Sequence, residues 1–205
     1  MTKKRVAVLI SGRGSNMMAL IEAAKAKDYP AEIVLVLSNR PGAAGLGRAH
    51  QAGIATVVID YRPFGEDRRA FEQALDDELR WHRVDLVCLA GFLRLLTSWF
   101  IARWRGQILN IHPALLPQFK GLHTHRRALD AGAKQHGATV HFVVEKTDSG
   151  PIIAQESVPV LPSDTEETLA ARVLQIEHRI YPEALRMVAD GRATFSPSRD
   201  PAGAR

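Results

Sequence analysis

Residues 108–113 read Ile-Leu-Asn-Ile-His-Pro, an apolar run that ends on an amide and an imidazole two positions apart. On a strand, alternation puts Asn110 and His112 on one face, roughly 6.6 Å apart along the chain. An amide able to hold a developing oxyanion, beside an imidazole able to move protons, is what an acyl-type transfer needs. Two polar residues closing a strand before a turn at Pro113 would have the same spacing, so their partners must decide between the readings. A candidate partner, the carboxylate of Asp148, follows a second apolar run.

The elements that must position these groups are legible as an alternation. Apolar runs at 5–10, 32–37, 55–59, 84–90 and 107–111 read as strands, with helical patterns near 15–27, 43–52, 66–82 and 97–104 between them. Runs that are apolar on both faces, such as Val84 to Ala90, imply strands covered on both sides and parallel crossovers. After Pro113 comes a Pro-, Gly- and His-bearing stretch, then strands at 138–145 and 152–160, then a long helical pattern from 164 to 190. The expected fold is a doubly wound α/β sheet, mainly parallel, of about seven strands with helices on both faces.

In such a sheet ligands bind beyond the carboxyl ends of the strands, and two more marked segments fall there. Ser11-Gly12-Arg13-Gly14-Ser15-Asn16 follows the first strand and opens the first helix. Its glycines allow a sharp turn, and the free N–H groups of a helix start suit a phosphate. It is not the dinucleotide fingerprint, because Met17 stands at the third glycine position, and it is not a P-loop. A tight turn without a ligand fits it equally well, although its place after the first strand favours the phosphate. Ala90-Gly91-Phe92-Leu93-Arg94-Leu95-Leu96 could wall a flat aromatic ligand, and plain core is the simpler reading.

Composition places the chain among ordinary soluble proteins: of 205 residues, 46% are hydrophobic and 24% charged, enough for one sizeable core. The first apolar stretch, Val6 to Ile10, is too short for a signal peptide or a membrane span. The single cysteine, Cys88, lies in an apolar run, which suits a buried thiol and a reducing cytoplasm. The net charge of +5 fits a nucleic-acid binder or an enzyme of anionic substrates. Because 27 basic residues are interspersed with 22 acidic ones, nucleic acid is the poorer fit, and the Arg80–Arg83 cluster with Trp81 reads as a solvated helix end. His123 and His125 could face one way on a strand, but His123, His125, His136 and His141 show no zinc spacing, so no metal is expected. Glu177, beside His178 on the last helical pattern, is either a surface charge or a residue turned into the crevice, and the sequence alone favours the surface.

Taken together, SGRGSN, LAGFLRLL, LNIHPALLPQFKGLHTHRRAL, HGATVHFVVEKTDSGPII and QIEHRIYPEAL resemble the phosphoribosylglycinamide formyltransferases, the folate-dependent enzymes of purine synthesis. The resemblance runs from about Val6 to Arg192, in order. It implies a Rossmann-like formyltransferase domain over 1–195, with the ribonucleotide phosphate site in the N-terminal half and the folate site and catalytic residues in the C-terminal half. Residues 196–205 are expected to be a flexible tail.

By the same resemblance Asn110, His112 and Asp148 are catalytic. Gly14, Ser15 and Asn16 would hold the phosphate of glycinamide ribonucleotide, with Leu174, Gln175, Ile176 and Glu177 by its ribose and glycinamide end. For 10-formyltetrahydrofolate, a cosubstrate that leaves as tetrahydrofolate, the match points to Arg68, to Leu93, Arg94, Leu95 and Leu96, to Asn110, and to Val144, Glu145, Lys146, Thr147 and Asp148. Arg68 is matched by helix length and pattern alone. Gln118-Phe119-Lys120 departs from the triplet common in the family, and the Leu116-Pro117 bond is open between cis and trans.

The expected partners are these two small molecules, with no nucleic acid, membrane or metal, in a cytoplasmic monomer or homodimer. Formyltetrahydrofolate hydrolases and methionyl-tRNA formyltransferases share the Asn-His-Asp set but carry an additional domain, which a chain of this length is not expected to hold. A folate- or nucleotide-binding module without catalysis is the alternative from another class.

Overall fold

The computed structural model describes residues 2–196. Seven strands form one sheet: β1 (Lys4–Ile10), β2 (Ala31–Ser38), β3 (Ala55–Val58), β4 (Leu86–Leu89), β5 (Ile108–His112), β6 (Gln135–Phe142) and β7 (Ile152–Pro159), in the order β3-β2-β1-β4-β5-β6-β7. The first five run parallel, and β6 and β7 are antiparallel to their neighbours. The helices are α1 (Ser15–Ala24), α2 (Ala44–Gln51), α3 (Arg68–Trp81), α4 (Ser98–Arg103), α5 (Thr124–Asp130) and α6 (Glu166–Ala189).

The double layer follows from β1 itself. Val6, Val8 and Ile10 enter a core shared with Met17 and Leu20 of α1 and Leu169, Val173 and Ile180 of α6. Ala7 and Leu9 enter a second core with Phe71, Leu75 and Leu79 of α3 and Phe100 of α4. Period-2 alternation therefore feeds both faces of the sheet, which is why the strand reads as continuously apolar. Cys88 is fully buried, as expected.

Several sequence expectations are corrected. The sixth strand begins at Gln135 and ends at Phe142, so Val144 and Glu145 lie in the loop beyond it. Residues 124–130 form a helix, so His123 and His125 do not alternate on a strand. The expected tail lies outside the described residues from 197 onward. The Leu116–Pro117 bond is cis. Among the described residues no helix is long and apolar enough to cross a membrane.

Two close approaches fix the antiparallel edge. A Cβ on Gly137 would stand 2.1 Å from the Glu156 carbonyl oxygen of β7, and one on Gly150 would stand 1.8 Å from that of Phe142. Neither position admits a side chain while the backbone stays in place. Tyr181, buried on α6, directs its hydroxyl to the carbonyls of Leu89 (3.0 Å) and Leu109 (3.2 Å), tying β4 to β5 just before Asn110.

His136 on β6 is fully buried against Phe119 and His125, with ring centroids 5.8 and 5.2 Å away, and neither ring nitrogen has a hydrogen-bond partner among the described residues. Burial, and then the positive field of His125 and His112, pull its pKa down to about 4. The unfolded chain binds this proton near pH 6.5, so between pH 6.5 and 4 the unfolded state holds more protons and stability falls as pH falls. The loss should reach about 3 kcal/mol across that window. Urea unfolding at a series of pH values is expected to show this slope in the wild type and a flatter one in His136→Leu.

Candidate active site

The catalytic candidates converge through the pairing of β5 with β6, which sets Asn110 opposite His141 and His112 opposite Thr139. Asn110 Nδ2 lies 3.2 Å from His141 Nε2. His141 Nδ1 lies 2.9 Å from the Phe142 carbonyl, which can only accept, so in the neutral ring Nε2 is the acceptor and the Asn110 amide donates to it. One amide hydrogen is thereby held, and the second has no partner among the described residues and can meet a developing negative oxygen.

His112 is 5% exposed. Its Nε2–H donates to the Phe119 carbonyl at 3.0 Å, and its Nδ1 stands 3.4 Å from Asp148 Oδ2. Burial lowers its pKa below the usual imidazole value, against the Phe119 carbonyl and the Asp148 charge, which act to raise it. The ring is thus neutral at pH 7, with an unprotonated nitrogen beside a carboxylate that would stabilise a proton arriving there.

Asp148 adopts φ +47°, and its Oδ2 accepts from the Gly121 N–H at 2.8 Å while Oδ1 lies 3.6 Å from His141 Nε2. Burial alone would raise its pKa. A proton on His141 Nε2, the Gly121 N–H and a protonated His112 each favour the carboxylate, and together they hold the carboxyl below the usual range. The turn after β5 is pinned by buried Thr139, whose hydroxyl donates to the Ala114 carbonyl (2.6 Å) and accepts from the Leu116 N–H (3.1 Å).

Beyond the carboxyl end of β1, Gly14 caps α1 in the left-handed region at φ +70°, and no side chain among the described residues caps the helix start. Ser15 is half-buried there. Asn16 is turned inward: its Nδ2 donates to Glu177 Oε2 at 2.6 Å. Glu177 is therefore not a surface charge; it is 7% exposed, and burial raises its pKa against the Asn16 contact. Of its neighbours on α6, Gln175 is exposed, Leu174 half-buried and Ile176 packed in the core, so the four residues do not share one face.

A cleft of about 490 Å³ beside this loop is lined in part by Ser11, Gly12, Arg13, Arg40, Tyr61 and Arg62. A second, of about 700 Å³, is lined in part by Leu116, Pro117, Lys120, Val144, Lys146 and Asp148. Arg68 and Leu93 to Leu96 do not line the second cleft. They meet one another instead: Arg68 Nη2 donates to the Leu95 carbonyl at 2.5 Å, and the Arg94 guanidinium lies 4.3 Å from the Tyr61 ring centre. Leu93 and Leu95 are 59% and 68% exposed, apolar surface left open beside the strand ends.

The sequence reading missed His141 as a partner of Asn110, together with Arg13 and Arg40 beside the glycine loop. For His141 the usable signal was its place two residues beyond Thr139, on the same face of a strand, but only the pairing shows which face meets Asn110.

Residues 4–185 match the formyl transferase family. The phosphoribosylglycinamide formyltransferase of Escherichia coli strain K12 is 46% identical over 187 residues, covering 91% of this chain and 88% of that protein. The trifunctional purine biosynthetic protein adenosine-3 of Drosophila melanogaster is 50% identical over 197 residues, or 95% of this chain, which spans only 14% of that much longer relative. The crystal structure of phosphoribosylglycinamide formyltransferase from Brucella melitensis superposes with a TM-score of 0.88 at 54% identity, covering 95% of this chain and all of that one. With the family match over residues 4–185 and these identities over most of both chains, the chain belongs to the phosphoribosylglycinamide formyltransferases of the formyl transferase family.

Proposed function

We propose that this enzyme moves the formyl group of 10-formyltetrahydrofolate to the primary amine of glycinamide ribonucleotide, a step of purine synthesis, and that residues 1–195 act as one catalytic unit. The observation that carries the reading is the clustering of Asn110 and His112 of β5, His141 of β6 and Asp148 of the β6–β7 loop within contacts of 3.2–3.6 Å. The amine nitrogen attacks the formyl carbon, and charge collects on the formyl oxygen. The free Asn110 N–H stabilises that oxygen, in the manner of an oxyanion-hole donor. His112 Nδ1 takes the proton released by the attacking nitrogen, and Asp148 stabilises the imidazolium so formed. The carbon–nitrogen bond to the folate then breaks as the folate nitrogen takes up a proton.

Gly14, Ser15 and Asn16 offer the phosphate an uncapped helix start, with Leu174, Gln175, Ile176 and Glu177 on the acceptor side; Glu177 acts there by orienting Asn16. The folate is assigned to Arg68, Leu93 to Leu96, Asn110 and Val144 to Asp148, where exposed leucines offer apolar cover and Arg68 a cation for the glutamate tail. A net charge of +5 suits two anionic substrates. The chemistry above needs no metal, and a cytoplasmic monomer or homodimer handling small molecules only, with neither nucleic acid nor membrane, fits the reading.

Tetrahydrofolate release should require both substrates. Release with the folate alone would make the enzyme a hydrolase, and no release would overturn the reading. Asn110→Ala should cut turnover by about 100- to 1000-fold, the usual loss of an oxyanion donor, with the fold unchanged by circular dichroism. Because His112 must be neutral to accept a proton, kcat/KM should be flat around pH 7. It should fall with acid only below pH 6.5, since burial holds the ring's pKa under the unperturbed value.

A further inference from the structure

Ser11, at the carboxyl end of β1, is 3% exposed, and each of its donor and side-chain groups is engaged away from its own strand. Its backbone N–H donates to the Gly91 carbonyl at 3.0 Å. Its Oγ accepts from the Leu93 N–H at 2.8 Å and donates to Asn39 Oδ1 at 2.7 Å. Asn39 follows β2, is 1% exposed, and its Nδ2 has no partner among the described residues, so Ser11 supplies the one hydrogen bond of that side chain. The next residue, Gly12, gives its carbonyl to the Gly45 N–H of α2 at 3.0 Å. One hydroxyl thus joins the ends of β1 and β2 to the turn after β4.

The two loops joined in this way are the ones assigned to different substrates. Ser11 opens the segment that runs to Gly14 and Asn16, and Leu93 opens the exposed Leu93–Leu96 loop, whose Leu95 carbonyl in turn holds Arg68. Only a group that donates and accepts at once can serve both Asn39 and Leu93. A serine hydroxyl does so, and a methyl group can do neither. We propose, on the functional reading above, that Ser11 is a positioning residue for the formyl donor: it fixes the Leu93–Leu96 loop against the phosphate loop and sets the orientation of the folate ring without touching the reacting atoms.

The test is steady-state kinetics of Ser11→Ala, with hydrogen exchange of the Leu93 amide measured by NMR. Losing the contact should raise KM for 10-formyltetrahydrofolate about tenfold, while kcat and KM for the ribonucleotide stay within about twofold and Leu93 loses its protection. Unchanged donor KM overturns the proposal, as does a uniform fall in every parameter together with the melting temperature, which would mark a merely structural serine. If Ser11→Ala does not fold, Asn39→Ala keeps the Leu93 contact but frees the hydroxyl. It should raise donor KM about two- to threefold with ribonucleotide KM unchanged, and no change in donor KM overturns the proposal. Wild-type turnover is the control: its absence would sink the functional reading, while exchange at Leu93 would still report the link.

Discussion

The site depends first on one strand pairing. Because β6 runs antiparallel to β5, residues facing each other across the pair are fixed by register, and Asn110 meets His141 while His112 meets Thr139. A slip of β6 by one residue would turn His141 to the opposite face and leave the Asn110 amide without an orienting partner. Glycines at 137 and 150 let β6 and the chain beyond it approach closely enough to keep that register. Tyr181 braces the other side of β5 from within the core.

Around this frame the loops hold three non-glycine residues in the left-handed region: Phe119 at φ +51°, His123 at +55° and Asp148 at +47°. Such conformations cost on the order of 1 kcal/mol each and persist where surrounding contacts over-determine them. Those contacts are visible here. The Phe119 carbonyl accepts a hydrogen bond from His112 Nε2–H, the Gly121 N–H donates to Asp148, and Arg127 donates to the Lys120 carbonyl at 2.6 Å. The strain is therefore spent on aiming a carbonyl and a carboxylate at one imidazole, which fixes the ring's tautomer and its accepting nitrogen.

The parallel half of the fold was readable because each of its central strands is apolar on both faces and each connection is helical, so periodicity and length sufficed. The placement of Asn110 and His112 on one face followed from alternation alone. What could not be read is long-range. His141 lies 31 residues from Asn110 in the chain, and no local pattern says which strand pairs with which. Glu177 looks like any carboxylate on an amphipathic helix, and only Asn16, 161 residues away, makes its burial tolerable. The seven-residue helix α5 escaped notice because a short helix among Gly, His and Pro has too few turns to show a period.

The central claim is electrostatic: a buried His112 is kept neutral at rest, and the Asp148 charge is what makes its protonated form accessible. Titrating the His112 ring by NMR in the wild type and in Asp148→Asn tests this most directly. The wild-type ring should titrate below 6.5, and removing the carboxylate charge should lower it further, because the field that favours the imidazolium is gone. A wild-type value at or above 6.5, or one unmoved by Asp148→Asn, would contradict the account.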